Sequence, residues 1–276
     1  MISVVIPLYN KEPIIEKTLK SVLSQDYSDF EVVVVDDGST DNSVAIVESI
    51  GDPRIRLIKQ ENGGPSKARN TGVKNAKEDW IVFLDADDEL LPDALRYFAH
   101  IINTHPEVDM FLGEVLVNNG NTEHLGVEYK NGLVNNPFKD HVLGRLYQCS
   151  GTTVYRKSIV EKYPFDERVR RYEDLQRIFK LYHEYSLYLC HKPVAKVNIE
   201  FAAASRARKD IKEDFLGYLD FKGKSFWEKM ALYGFYLGER VYYPEQCRKL
   251  YPCLYWRYDW LLIYKVVSCL NRKQNE

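Results

Sequence analysis

Four carboxyl groups follow one short apolar run. The stretch Asp79-Trp-Ile-Val-Phe-Leu-Asp-Ala-Asp-Asp-Glu-Leu-Leu-Pro92 carries Asp85, Asp87, Asp88 and Glu89 directly after Trp80 to Leu84. That run is continuous and rich in β-branched and aromatic residues, so it reads as a strand buried on both faces. In open α/β sheets, ligands collect at the carboxyl ends of strands. Asp85 and Asp87 are two apart, so in extended geometry they share one side and repel unless a cation lies between them or one holds a proton. A hard divalent cation, held by one or two carboxylates and completed by water and phosphate oxygens, is the economical reading. An isolated D-x-D would be read first as an acidic turn ahead of a helix beginning near Pro92. Further clusters in the chain shift the balance towards chemistry.

Asp36 and Asp37 stand at the end of a second apolar run, Glu31 to Val35. There a carboxylate can accept a hydrogen bond from a nucleobase or ribose. Ser39, Thr40 and Asp41 follow Gly38 and are suited to capping the next helix. In Glu61-Asn-Gly-Gly-Pro-Ser-Lys-Ala-Arg-Asn-Thr-Gly72, Pro65 starts a helix whose first turns bear Lys67, Arg69 and Asn70. Cations beside the positive end of a helix suit a diphosphate, although solvated Lys67 and Arg69 are the plainer alternative. Glu173 and Asp174 open another helix, where first-turn acids commonly serve the dipole.

The elements that position these groups alternate. Ser3 to Pro7 is a first buried strand, and residues 13 to 24 recur with helical spacing through Ile14, Ile15, Leu19, Val22 and Leu23. A helix carrying Val44, Ile46, Val47 and Ile50 follows the second strand. Ile55 to Ile58 forms a third, and a helix runs from about Pro92 to Asn103. Strand and helix alternating four times within a hundred residues predict a doubly wound parallel sheet whose polar tips converge on one edge. The second half is less regular. It has strands at Asp109 to Val117, Thr152 to Tyr155 and Val194 to Val197, with scattered signals between 120 and 150.

Val4-Val-Ile-Pro-Leu-Tyr-Asn10, Val34-Val-Asp-Asp-Gly-Ser-Thr-Asp41, Asn62-Gly-Gly-Pro-Ser-Lys-Ala-Arg-Asn-Thr-Gly72 and Phe83-Leu-Asp-Ala-Asp-Asp88 stand in the order and spacing of the family 2 glycosyltransferases, which this chain resembles. These are inverting enzymes of GT-A fold that use nucleotide-diphosphate sugars. The resemblance is close over the first 115 residues and looser to about 200. It implies a GT-A, Rossmann-like, mostly parallel sheet flanked by helices over residues 1–205. Residues 1–115 would form the nucleotide-sugar half and 116–205 the acceptor half.

The resemblance further implies that Asp36 or Asp37 contacts the base while Pro7, Tyr9 and Glu12 line the nucleotide pocket. Lys67 and Arg69 look like the diphosphate-side cations, and Asp87 like the direct ligand of Mg or Mn, with Asp85 nearer the ribose or sugar. Asp174 corresponds to the general base on the acceptor hydroxyl, with Glu173 orienting it. The family often has Gly before this acid pair, where Tyr172 stands here, and a His or Arg lid where Asn198-Ile-Glu-Phe-Ala-Ala-Ala-Ser205 stands, so no lid residue is assigned. Family habit favours a UDP-sugar donor, and a growing or lipid-linked glycan of bacterial envelope or capsule as acceptor.

A phosphatase of the haloacid dehalogenase type is the competing enzyme class, with Asp85 as nucleophile and Asp87 as acid. That family usually carries its D-x-D on the first strand and follows it with Thr or Val. A nucleotide-sugar-binding protein without catalysis is the non-enzymatic alternative.

Composition sets the outer bounds. A chain of 276 residues with 45% apolar content supports a large core, and a net charge of −2 gives no case for nucleic acid. Five scattered cysteines without a C-x-x-C pair fit reduced thiols in the cytoplasm. No secretory leader is visible and no apolar run of about 18 residues occurs. Residues 206–276 differ, with 14 Lys and Arg against 9 Asp and Glu and 16 of the 36 aromatic residues. They predict a helical, aromatic-rich extension. Either it contacts the inner face of the cytoplasmic membrane through Leu254 to Leu270, or it packs on the catalytic domain or in a homodimer.

Overall fold

The computed structural model describes residues 2–199 and 210–251. Four strands, β1 (Ile2–Leu8), β2 (Phe30–Asp36), β3 (Ile55–Lys59) and β4 (Trp80–Phe83), run parallel in the order β3-β2-β1-β4. Every residue of β2 and β4 is buried, as their uninterrupted apolar runs require. Successive side chains alternate between faces. Val5, Val33, Val35 and Ile81 therefore join one core, while Val4, Ile6, Val32, Val34 and Val82 join another.

The connecting helices divide the same way. Ile15 and Leu19 of α1 (Ile15–Leu23), Val47 of α2 (Ser43–Ile50) and Leu95 and Phe98 of α4 (Ala94–Thr104) pack in the second core, and Ala68 and Val73 of α3 (Pro65–Asn75) in the first. Each fully buried Leu, Val or Phe contributes about 1.5–3 kcal/mol. This two-sided burial holds the strand tips in register.

Beyond β4 the sheet becomes mixed. A short β5 (Glu89–Leu90) follows the acidic turn, and β6 (Met110–Asn118), β7 (Glu123–Leu125) and β8 (Gly132–Leu133) lead to α5 (Pro137–Val142). Strand β9 (Thr153–Arg156) inserts antiparallel between β4 and β6. Helices α6 (Lys157–Lys162) and α7 (Glu173–Leu181) lead to β10 (Leu187–Asn198). The full order is β3-β2-β1-β4-β9-β6-β10-β5. Strand β10 is longer than the expected Val194 to Val197 because it pairs along β6 through register shifts around Pro193.

The described part of the C-terminal segment shares the first core. Ile211, Phe215 and Leu216 and the buried face of α8 (Phe226–Glu239), including Leu232, Tyr233 and Tyr236, belong to the cluster that contains Val5 and Val33. Helix α9 (Pro244–Leu250) adds Cys247, and Tyr251 closes the segment, its hydroxyl 2.6 Å from the Leu216 carbonyl oxygen. The interfacial stretch Leu254 to Leu270 and the unassigned lid segment after Ile199 lie outside the described residues. Among the described residues, no helix is long and apolar enough to cross a membrane.

Helix α3 lies so close to β1 that a Cβ at Gly72 would overlap Val5 Cγ1, which is fully buried. Alanine would gain up to about 1 kcal/mol of helix propensity but lose roughly 1–3 kcal/mol to overpacking. Gly72→Ala should therefore lower the urea midpoint of unfolding. A raised midpoint would show that helix propensity outweighs the contact.

Candidate active site

The acids after β4 sit in a turn, not in the extended strand that their spacing suggested. Strand β4 stops at Phe83, the Asp88 N–H donates to the Asp85 carbonyl at 3.0 Å, and the Asp85 N–H donates to Ser150 Oγ. The turn nevertheless gathers the carboxylates: oxygens of Asp85, Asp87 and Asp88 all lie within 4.8 Å of one another. Burial, and then the charges of Asp85 and Asp87, push the Asp88 carboxyl well above the usual range. Lys11 Nζ lies 2.5 Å from Asp87 Oδ2 and offsets part of the repulsion.

Three crowded oxygen donors without sulfur or imidazole suit a hard divalent cation, and such a charge would relieve the mutual repulsion. Asn198 fixes the turn from β10. Its N–H donates to Asp88 Oδ1 at 3.0 Å, and its side-chain amide to the Asp87 carbonyl at 2.8 Å.

Arg69 links this turn to the second acid cluster. It is buried, with one guanidinium nitrogen 2.7 Å from Asp85 and the other 2.5 Å from Glu173. Burial opposes its charge, but the carboxylates of Asp85 and Glu173 more than compensate, so its pKa is raised. The resemblance implies Arg69 on the diphosphate side; in the structure its guanidinium bridges two carboxylates. Glu173 and Asp174 open α7 as expected. Burial raises Glu173 to about 7 against the pull of Arg69. Asp174 is open to solvent, yet the protein atoms around it raise its pKa too, again against Arg69.

The nucleotide-side candidates converge at the ends of β1 and β2. Leu8 and Asp36 are in register, and the Asp37 N–H donates to the Leu8 carbonyl at 2.8 Å. Asp37 is buried and accepts from the Gly63 N–H at 2.8 Å, the Gly64 N–H at 2.7 Å and Gln60 Nε2 at 2.7 Å. It thus holds the glycine loop, in which Gly64 has φ 90°, a conformation that suits glycine. Asp36 is also buried and accepts from the Ser39 N–H at 3.1 Å.

Glu12 accepts from the Asn42 N–H and side-chain amide, at 3.1 and 2.9 Å. Tyr9 is 48% exposed and Pro7 half-buried beside them. Lys67 is half-buried, its stem covering Gly63. Ser39 and Thr40 bind Asn10 rather than capping α2; Asp41 alone accepts from the Ser43 N–H, at 3.0 Å.

Asp88, Lys11, Ser150 and Asn198 were not assigned from sequence. Asp88 is signalled by the acidic run itself. Asn198 and Ser150 carry no local signal, because they reach the turn from other strands and loops.

Residues 3–164 match the family described as Glycosyl transferase family 2. The chain belongs to this family. Membership makes it a glycosyltransferase and sets aside the phosphatase reading. It is 27% identical over 275 residues to a GalNAc(5)-diNAcBac-PP-undecaprenol beta-1,3-glucosyltransferase of Campylobacter jejuni, covering 92% of this chain and 87% of that one. It is 48% identical over 90 residues to the glycosyltransferase EpsJ of Bacillus subtilis, covering 32% of this chain but only 26% of EpsJ. Residues 1–349 of Staphylococcus aureus TarS in complex with UDP superpose with a TM-score of 0.65 at 25% identity, covering 87% of this chain and 72% of that one. This likeness covers the mixed sheet and flanking helices expected for a GT-A fold.

Removing the Asp37 carboxylate would leave the buried Gly64 N–H and the half-buried Gly63 N–H without their acceptor. Each such loss costs about 1–3 kcal/mol. Asp37→Ala should lower unfolding stability by roughly 2–3 kcal/mol, measured by denaturant titration. Unchanged stability would mean that water replaces the carboxylate.

Proposed function

We propose that this glycosyltransferase moves one sugar from a UDP-sugar, with inversion, to a hydroxyl of a bacterial envelope or capsule glycan, in the manner of a lipid-linked acceptor pathway. The observation that carries the reading is the pairing of two acid clusters through one guanidinium: Asp85 from the β4 turn and Glu173 from α7 both bind Arg69. UDP bound to TarS and the undecaprenol-linked acceptor in the name of the Campylobacter enzyme support the donor and acceptor classes.

In this reading the base and ribose lie against Pro7, Tyr9 and Asp36, at the ends of β1 and β2. Asp37 and Glu12 act one step back, shaping the loops, and Lys67 stands on the diphosphate side. Asp87 and Asp85, joined by Asp88, would hold Mg or Mn, which when bound supplies charge against the departing diphosphate. The acceptor oxygen attacks the anomeric carbon as the bond from that carbon to the phosphate oxygen breaks. The hydroxyl proton passes to the Asp174 carboxylate on the opposite side. Glu173, fixed by Arg69, orients the acceptor and its neighbour.

A base must be ionised to take the proton. With Glu173 raised to about 7 and Asp174 raised beside it, the pair loses its ionised form as pH falls through that region. Turnover should therefore decline on the acidic side with an apparent pKa above that of an ordinary carboxylate. A rate that is flat between about pH 5.5 and 8 would remove the acid pair from the proton transfer.

Calorimetry with UDP-, GDP-, dTDP- and CDP-linked sugars, first with Mn and then with chelator, tests the donor. Metal-dependent binding of UDP-sugars alone is the expected result, weakened about tenfold or more by Asp87→Asn. Asp174→Asn should bind donor normally and lose transfer by about 10²–10⁴-fold. Equal binding with and without chelator would remove the metal, and retained turnover in Asp174→Asn would move the base to Glu173.

A further inference from the structure

Tyr172, the residue immediately before the acid pair, has φ 57° and ψ 27°. Among the described residues, three non-glycine residues have positive φ: Asn10, Asp93 and Tyr172. Asn and Asp tolerate this region through short polar side chains; for a large aromatic residue it must be imposed from outside. The left-handed turn sets the direction in which α7 departs, and with it the direction of Glu173 and Asp174.

The imposing contacts come from the C-terminal segment. The Arg170 and Arg171 N–H groups donate to the Glu213 carbonyl at 2.8 and 3.1 Å, and the Phe215 N–H donates to the Arg171 carbonyl at 3.1 Å. The Arg171 guanidinium lies 3.4 Å from Asp214 and 3.2 Å from Glu239. The Tyr172 hydroxyl donates to Glu239 Oε1 at 2.8 Å, and its ring meets Phe235 edge-on at 4.9 Å. Phe235 and Glu239 are four residues apart on α8, hence on one face, and Phe235 packs in turn on Phe215 at 5.2 Å.

We propose that Tyr172 is a positioning residue for sugar transfer, held in its left-handed conformation by Phe235 and Glu239 of α8, so that the C-terminal segment sets the orientation of Glu173 and Asp174. This rests on the reading of those two acids as the catalytic pair. Arg69 holds Glu173 from α3, and Tyr172 fixes the backbone that presents both acids. Glycine would reach the same conformation without external support. The extension therefore performs at this position what a glycine would do through backbone freedom.

Three full-length variants test the proposal: Tyr172→Ala, Tyr172→Gly and Glu239→Ala. Amide hydrogen exchange at 170–177 should accelerate in Tyr172→Ala and Glu239→Ala while β1 to β4 keep their protection. With UDP-GlcNAc and Mn, and water as acceptor, UDP release should show kcat lowered about tenfold or more in Tyr172→Ala, with KM for the donor within about twofold. Tyr172→Gly should recover most of that loss, a rescue that mere loss of packing does not allow. Wild-type kcat in Tyr172→Ala would overturn the proposal, as would equal losses in the Ala and Gly variants that track a lowered melting temperature. If the wild type releases no UDP, the donor reading fails separately. The exchange experiment then decides alone: acceleration at 170–177 supports the positioning role, and unchanged exchange overturns it.

Discussion

A buried guanidinium joins the two acid clusters of this molecule. Arg69 stands on α3, is largely buried, and is paired with Asp85 from the turn after β4 and Glu173 from the start of α7. The Arg69–Glu173 pair is buried, and removing one partner from such a pair typically costs about 3–5 kcal/mol, because the remaining charge stays out of water. The acids of the turn after β4 and those at the head of α7 are therefore tied together. The same guanidinium also lies over the Phe165 ring, 5.4 Å from its centroid, which limits the space into which it could swing.

Around that link the protein concentrates negative charge against its own electrostatics. Asp85, Asp87 and Asp88 crowd together at the edge of the sheet, with Lys11 and Arg69 as counter-charges and Asn198 and Ser150 as hydrogen-bonding clamps. Burial raises Asp88 strongly. Such an arrangement is stable only because the strands beneath it are buried on both faces and do not yield. A rigid sheet makes a repulsive cluster affordable, and a divalent cation would find it already assembled.

The C-terminal segment changes the picture of an appendage. Its described residues fill the face of the sheet opposite α1, α2 and α4, and they hold the chain just before the acid pair through Asp214, Phe215, Phe235 and Glu239. Composition marked these residues as different without saying what they touch. Over 210–251, Phe215, Tyr233, Tyr236 and Tyr243 are packing residues of the first core. The basic and aromatic stretch after them lies outside the described residues.

The sequence alone determined the elements of the first hundred residues, the convergence of their acidic tips, and the family. It did so because burial on both faces writes itself as unbroken apolar runs, and because turn and cap chemistry depends on near neighbours. It also named the acids that the structure brings together. What it did not determine is how each polar group is engaged. Asp37 supports the glycine loop, Arg69 bridges carboxylates instead of standing free, and Asn198 clamps the acidic turn. The Arg69–Glu173 pair spans 104 positions and the Asn198–Asp88 bond 110. No local periodicity records partners so distant. Only the approach of the start of α7 to Arg69, and of β10 to the turn, decides which donor meets which carboxylate.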